Sequence, residues 1–236
     1  MSGSPLQDLF PRQYYTLVAS LPVLPRFDKV QRLPITKERL DQRLAMLDEQ
    51  DAAILRQAEQ FLAWRYHPMG RSDADIIAHH ARLMSQLKQP TLQHIVLYRM
   101  NVRTLVAAMR HRQRNRRPFE ERAPWGVGPL VKHIEQHWEV ADFNLSTRFP
   151  WVQRAIDLLQ SGDSLGLQYL LLNMLWDFLQ TLSHGHYFDF DFVLIYLFKW
   201  DIVSRWLSYD ETLALQRFND LMVQGYTAYG QPLFVE

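Results

Sequence analysis

The chain has no cysteine among its 236 residues. Disulfide bonds, cysteine-ligated metal centres and cysteine nucleophiles are therefore excluded. Glycine is also scarce, with nine residues, and the sequence holds neither a glycine-rich phosphate loop nor a Gly-x-Ser-x-Gly nucleophile motif. From these absences we expect a protein without catalytic residues, without a cofactor and without a small-molecule substrate, whose role is binding or scaffolding.

An excess of charge of one sign is missing as well. The chain carries 26 lysines and arginines against 25 aspartates and glutamates, which gives a formal net charge of +1. An electrostatic partner would therefore have to be recognised by a local patch of charge rather than by the molecule as a whole. We accordingly expect nucleic acid to be a less favoured partner than an acidic protein surface.

Long hydrophobic runs are absent from the N-terminal part of the chain. The stretch QYYTLVASLPVLPRF resembles a secretion signal, but Ser20 and Pro22 interrupt its apolar part and no basic cluster precedes it. It is also far shorter than the roughly 20 apolar residues that a membrane span requires. We predict that residues 1–35 form an irregular N-terminal arm packed on the body, with a short extended or single-turn element.

Helical periodicity dominates the rest of the sequence. Apolar residues recur at helical spacing, while two-residue alternation with hairpin turns is missing, so the sequence predicts an all-α multi-helix bundle of eight or nine helices. We expect one helical domain over residues 36–236, with a candidate hinge at 117–129. Thr36, Asp51 and Ser164 are predicted helix caps. The apolar stretch SLGLQYLLLNMLWDFLQTL is predicted to be a central buried helix rather than a membrane span.

The most distinctive motif is the arginine-rich stretch RHRQRNRR at residues 110–117. If the preceding helix continues through it, one face carries five arginines within roughly 60°. These arginines are Arg99, Arg103, Arg110, Arg114 and Arg117. The row suits an anionic partner, which would be a carboxylate-rich protein surface, an anionic lipid head group or a nucleic-acid backbone, because guanidinium groups bind such anions in a bidentate manner. The alternative to a binding surface is that these arginines form the solvated end of a helix that stops before Pro118.

Histidine spacing raises the question of a metal site. His133 and His137 lie four residues apart, and the segment SHGHYFDFD adds His184, His186 and two aspartates. In the sequence HIEQH the glutamate does not directly follow the first histidine, as the HExxH metalloprotease motif requires. We therefore expect no metal, and a metal-dependent hydrolase using His133 and His137 is the least favoured alternative.

Three stretches resemble a known family. QYYTLVASLPVLP followed by LPITKERLDQRL resembles the opening of a poorly characterised bacterial family encoded among V-type ATPase subunits. YRMNVRTLVAAMRHR looks like a helix of the C-type subunit of V-type ATPases, whose eukaryotic counterpart is the d-type subunit. FVLIYLFKWDIVSRWLSYDETLALQRFNDLM is similar in pattern to the closing helices of the same subunit. Together these stretches cover less than half of the chain.

The resemblance implies a fold and a role. Members of this C/d-type family are all-helical, pseudo-threefold and funnel-shaped, have no catalytic residues, and seat the central rotor shaft on the membrane ring. It therefore implies a shortened, non-catalytic subunit that is cytoplasmic and peripheral to the inner membrane, with rotor and membrane-ring subunits as partners. The membrane itself would be reached only through those partners.

The same resemblance points to a partner surface. Arg99, Asn101 and Arg103 occupy the matching helix, and we predict a partner surface made of these residues with Arg110, Arg114 and Arg117. The alternative is an independent helical protein that binds an anionic surface or nucleic acid through the arginine row.

Overall fold

The computed structural model describes residues 13–62, 73–114 and 125–208. Within these ranges the chain is mostly helical and forms no β-strand apart from an isolated bridge between Gln13 and Asp189. The predicted all-α class is therefore confirmed. The helices are α1 (Tyr15–Ser20), α2 (Lys37–Leu44), α3 (Glu49–Leu62), α4 (Asp73–Gln86), α5 (Pro90–Arg114), α6 (Leu130–Gln136), α7 (Trp151–Gln160), α8 (Ser164–Leu182) and α9 (residues 190–208).

Two hydrophobic clusters make up the core, and α5 and α8 contribute to both. Leu92 of α5 and Leu179 of α8 belong to the larger cluster, together with side chains of α2, α3 and α9. Leu105 of α5 and Leu167 of α8 belong to the smaller cluster, with α6 and α7. The early part of α5 thus pairs with the late part of α8. The two helices therefore run antiparallel, and the junction of the two clusters lies near their middle.

The described part of the N-terminal arm, residues 13–35, packs on the larger cluster. Leu17 of α1 and Phe27, in the short 3-10 turn Phe27–Lys29, are fully buried there. The hydroxyl of Tyr196 donates a hydrogen bond to the carbonyl of Pro22 at 2.9 Å, and the indole of Trp200 donates one to the carbonyl of Ile35 at 2.8 Å. The arm is thereby attached to α9, which lies more than 150 residues later in the sequence.

Helix α6 ends earlier than the sequence predicts. The sequence favours a helix over PLVKHIEQHWEVADF, whereas α6 ends at Gln136 and turns follow. Two later residues, Phe143 and Asn144, have φ angles of 54° and 55°. Such left-handed conformations are incompatible with a continuous right-handed helix. The guanidinium of Arg112 donates to the carbonyls of residues 138–140, so a long-range contact satisfies backbone groups that a helix would otherwise use.

One of the three predicted helix caps is found at its predicted residue. Thr36 caps α2 as predicted, since its side chain accepts a hydrogen bond from the N–H of Arg39. At α3 and α8 the predicted caps are wrong. Asp48, not Asp51, accepts the N–H of the residue three positions later, at 2.9 Å. Asp163, not Ser164, caps α8 by accepting the N–H of Gly166 at 2.8 Å.

Several predicted features lie outside the described residues. They are residues 1–12 of the N-terminal arm, residues 117–124 of the candidate hinge, which include Arg117, and the closing helix predicted after Asp210. Within the described part of the chain, no helix combines the length and the hydropathy needed to cross a membrane. The prediction that α8 is a buried helix agrees with its position, because Leu172, Leu175 and Leu179 all lie in the larger cluster.

Candidate functional site

A cavity of about 360 Å³ lies between the antiparallel helices α5 and α8. On α5 the lining residues Arg99, Val102, Arg103, Val106 and Arg110 follow the spacing of one helix face. Residues 168–175 of α8 form the opposite wall. Because the two hydrophobic clusters meet near the middle of these helices, the cavity occupies the junction between the clusters.

The lining combines an apolar wall with four cations. Eight lining side chains are aliphatic or aromatic: Phe61, Tyr98, Val102, Val106, Ala107, Leu171, Leu172 and Leu175. The polar lining residues are Arg99, Arg103, Arg110, Arg205 and Gln168. No acidic residue is among the described residues that line the cavity. The chemistry of the wall is therefore that of a small-molecule pocket with a few placed polar groups, but with an unusual excess of positive charge.

Arg99 is one of the enclosed cations. Its side chain is 17% exposed, and its guanidinium carbon lies 5.6 Å from the ring centroid of Phe61 and 5.9 Å from that of Phe198. Both distances permit cation–π attraction. The Arg99 Nη1 atom is buried and donates no hydrogen bond within the described residues. A buried donor without a hydrogen bond costs free energy. A further acceptor that reached Arg99 Nη1 would therefore bind favourably.

One carboxylate compensates two of the guanidinium groups. Asp201 Oδ2 lies 2.8 Å from Arg205 Nε and 3.8 Å from Arg99 Nη1, and the second distance is too long for a hydrogen bond. Burial, together with the charge of Arg205, lowers the pKa of Arg99 to about 10, and Asp201 partly opposes this shift. Arg99 remains charged at neutral pH. Arg99 therefore carries a positive charge that its surroundings compensate only partly.

The structure divides the predicted arginine row. α5 continues to Arg114, as the row requires. However, Arg99, Arg103 and Arg110 line the cavity, and Arg99 is not on the open surface where the sequence places it. Arg114 is exposed and is not part of the lining. The row thus becomes a set of cavity arginines followed by a solvated helix end.

Asn101 lies apart from the cavity. It packs against Gly128, where an added Cβ would come within 3.0 Å of Asn101 Oδ1. The φ of 85° at Gly128 is a conformation that favours glycine, and the absence of a side chain leaves room for the amide. Asn101 therefore serves the packing of residues 125–129 on α5. The structure does not bring it together with the arginines.

Sequence reasoning missed the residues that complete the site from other helices. Phe61, Phe198 and Arg205 are separated from the α5 arginines by tens of residues, and no local pattern connects them. One signal was available: Asp201 and Arg205 are four residues apart on an apolar helix, which is the spacing of an intrahelical ion pair. A charge pair within an otherwise apolar helix indicates a polar neighbour on the facing element.

The histidine pair His133 and His137 makes structural contacts. His133 Nε2 lies 3.0 Å from the carbonyl of Phe143, and His137 Nδ1 lies 2.9 Å from the carbonyl of His133. The two rings stack with their centroids 4.3 Å apart. These contacts give both histidines a role in the turn that follows α6.

A second group, made of His186, Asp189 and Asp191, has ligand atoms that all lie within 4.8 Å of one another. Each carboxylate already has a partner. Asp189 accepts the N–H of Phe192 at 2.9 Å and lies 2.7 Å from His186 Nδ1, while the amide of Gln89 donates to Asp191. The group thus fixes the start of α9. His184 lies apart, with its Nδ1 2.9 Å from the carbonyl of Thr181.

Comparison with known proteins leaves the site to be interpreted from its own chemistry. No family model matches the chain, and neither a curated protein nor a solved structure matches it.

Proposed function

We propose that this chain is a binding protein that takes an anionic group into the cavity between α5 and α8. The observation that carries the proposal is the buried Arg99 Nη1, which donates no hydrogen bond within the described residues and lies 3.8 Å from Asp201 Oδ2. An acceptor with negative charge would satisfy this donor and compensate the charge of Arg99. Charge-assisted hydrogen bonds of this kind are about twice as strong as neutral ones.

The enclosed position of Arg99 and Arg103 supports binding of a group that enters the cavity. An exposed ion pair contributes on the order of 0–1 kcal/mol, whereas hydrogen bonds to charged groups in a sheltered site contribute about 1.5–3 kcal/mol. Tyr98 and Phe61 contribute aromatic rings to the lining of the cavity. Arg99 and Arg103, which the sequence assigns to a partner surface, would thus bind an anion more tightly inside the cavity than on an exposed surface.

The proposal is tested by comparing a charged ligand with its neutral counterpart. Isothermal titration calorimetry of the full chain with benzoate and with benzamide measures the contribution of the negative charge directly. We expect benzoate to bind about tenfold or more tightly, which corresponds to about one sheltered charged hydrogen bond. Arg103→Gln should remove most of this preference. Arg154→Gln, at an exposed arginine of α7 far from the lining, should leave it unchanged.

Equal affinity for benzoate and benzamide in the wild-type chain would contradict the proposal, because the cavity would then recognise only apolar surface. Loss of the preference in Arg154→Gln as well as in Arg103→Gln would also contradict it, since the effect would then follow from net charge. Circular dichroism of each variant establishes that the helices are retained.

A second proposal rests on the resemblance described above. We propose that the chain serves a bacterial V-type ATPase as a non-catalytic, cytoplasmic subunit with a shortened form of the C/d-type funnel, docking through exposed arginines of α5. The all-α class is consistent with this role, and the exposed Arg114 could contact an acidic partner. The three resembling stretches are what support it.

Co-purification of a tagged chain from its native host tests the ATPase role. Recovery of rotor or membrane-ring subunits, reduced by Arg114→Glu and by raised salt, is the expected result because exposed charges are screened over about 8–10 Å. Recovery of nucleic acid in place of ATPase subunits would favour the alternative of a nucleic-acid binder. Arg103→Gln separates the two proposals, because it should impair the cavity without removing the exposed arginine.

A further inference from the structure

We infer that the ligand of this cavity is an anionic amphiphile, with a carboxylate or phosphate head group on an apolar chain. The inference rests on the proposed function, since it names the class of anion that the cavity would take. Three observations support it: the uneven distribution of cations along the cavity, the apolar wall opposite them, and the length of α5 that the cavity follows.

The cations are not equivalent along the cavity. Arg99 lies beside the rings of Phe61 and Phe198, and Asp201 of α9 lies near both Arg99 and Arg205. Arg110 lies at the other end and is exposed. A guanidinium in a sheltered position attracts an anion more strongly than one in water, because the local dielectric constant is lower. The head group should therefore settle at the Arg99 end, within reach of Arg103 and Arg205.

Beyond that end the cavity wall is mostly hydrocarbon. Val102 and Val106 of α5 and Leu171 and Leu172 of α8 are among its lining residues. From Arg99 to Arg110 the helix rises by roughly 16 Å, at about 1.5 Å per residue. A compact anion such as inorganic phosphate would occupy only the charged end and would leave the apolar wall in contact with water. An alkyl chain would cover this wall and gain the free energy of hydrophobic burial.

The alternatives fit less of the lining. A wholly apolar ligand would leave the Arg99 guanidinium enclosed without an anion, which is unfavourable for a buried charge. A ligand with many polar groups would find only Gln168 and Arg110 beyond the Arg99 end. One charged head and one apolar chain correspond to the two kinds of surface that the cavity offers.

A chain-length series on the full wild-type protein tests the inference. Calorimetry with acetate, butyrate, hexanoate and octanoate should show affinity rising by up to about fourfold per methylene, the value expected for full burial. The rise should level off once the chain fills the cavity. Octyl phosphate serves as the second head group, and whichever of octanoate and octyl phosphate binds more tightly identifies the head group that the site prefers. 1-Octanol, which has the chain without the charge, should bind about tenfold or more weakly than octanoate.

Leu171→Gln tests the apolar wall in the same assay. Leu171 lines the cavity and is partly buried, whereas Leu165, on the same helix, is 39% exposed and is not in the lining. Leu171→Gln should weaken octanoate by several times more than it weakens acetate. Leu165→Gln should change neither. Because the wild-type series decides the question by itself, poor folding of the Leu171 variant would not affect the conclusion.

The outcomes separate the inference from the function on which it rests. If acetate binds as tightly as octanoate while benzoate still exceeds benzamide, the cavity takes a compact anion and the amphiphile inference is wrong. If 1-octanol equals octanoate, the charge plays no part and the anion-binding function fails as well. If none of these compounds binds, both are wrong.

Discussion

Arg99 is a cation in a place where hydrophobic packing alone would select an aliphatic side chain. Its neighbours include Phe61, Phe198 and Val102, and its only carboxylate within the described residues, Asp201, is closer to Arg205. Natural sequences depart from local consistency mainly at functional sites. The cost of holding this charge in the free protein therefore supports the binding of an anion in the cavity.

Arg99→Met is expected to separate stability from binding. Methionine keeps most of the contacts with Phe61 and Phe198 and removes a partly compensated buried charge, while Asp201 keeps Arg205 as its partner. Replacing buried ions by apolar residues is often neutral or stabilising by about 1–4 kcal/mol. Urea denaturation should show unchanged or increased stability, and calorimetry should show that the preference for benzoate is lost. A loss of stability of about 2 kcal/mol or more would mean that Arg99 is structural.

Tyr14 gives a prediction for alkaline pH. Its hydroxyl lies 2.9 Å from Asp48 Oδ2 and 2.5 Å from Asp51 Oδ2, near the start of α3. Burial, followed by these hydrogen bonds, raises the pKa of Tyr14 above its ordinary value of 10.0. The folded state thus keeps the phenol proton at pH values where the unfolded chain has lost it. The stabilisation is fully present below about pH 10 and is lost as the pH rises through the folded-state pKa.

The expected measurement is the free energy of unfolding between about pH 9 and pH 11. In this range Tyr14 should contribute a fall approaching about 1.4 kcal/mol per pH unit once the unfolded phenol is ionised. Tyr14→Phe should reduce this slope and should lower stability at neutral pH, because the carboxylates of Asp48 and Asp51 lose a donor. Tyr98 and Tyr196, whose pKa values burial also raises, should retain their share of the slope in the variant. An identical slope in both proteins would contradict the assignment.

Helix α5 contributes side chains to both hydrophobic clusters and to the cavity. It begins at Pro90, a residue that suits the first helical position, and the side chain of Gln89 accepts the N–H of Leu92 at 2.7 Å. The helix then contributes to the larger cluster, the cavity and the smaller cluster in turn. Any change in its straightness would move the cavity arginines relative to α8, so α5 positions the site.

Helix α8 supplies the opposite wall and has a defined start. Asp163→Ala removes the cap that accepts the N–H of Gly166, and such a loss typically costs about 0.5–2 kcal/mol. We expect a fall of about 1 kcal/mol in urea denaturation. Benzoate affinity should change little, because the lining begins at Gln168 and the helix beyond it is held by packing. Asp163→Asn, which can still cap, is the matched control. A large loss of binding in Asp163→Ala alone would show that the start of α8 shapes the cavity.

At the scale of the whole molecule, the cavity lies where the two hydrophobic clusters meet. A ligand placed there would contact Val106 of the smaller cluster and Leu172 and Leu175 of the larger one. Binding to the folded state alone stabilises it by mass action. At a ligand concentration of about 100 times Kd the gain is about 2.7 kcal/mol, which for a chain of this size raises Tm by roughly 5–10 °C.

Thermal unfolding in the presence of octanoate tests this linkage. Wild type should show the full rise in Tm, and Arg154→Gln should show the same rise. Arg103→Gln should show a much smaller one at equal ligand concentration. A rise of the same size in Arg103→Gln would place the octanoate elsewhere on the protein.

The fold was more predictable from sequence than the site. Apolar residues at helical spacing indicated the all-α class, and the motif around Arg110 indicated a helix that continues past it to Arg114. The cap at Thr36 was also readable, whereas those at Asp48 and Asp163 were displaced by one to three residues from the predicted positions. Helix ends are decided by small energies, so neighbouring polar residues compete for the cap position.

By itself, the sequence determined that this protein is helical, that its charge is balanced overall, and that arginines recur along one face of a long helix. Those properties depend on composition and on spacing along a single element. Only the tertiary structure decided which of the arginines are enclosed. The wall that encloses Arg99 and Arg103 comes from Phe61, from α8 and from Arg205, all distant in the sequence. Local periodicity carries no information about such pairings, because they depend on how the helices pack against one another.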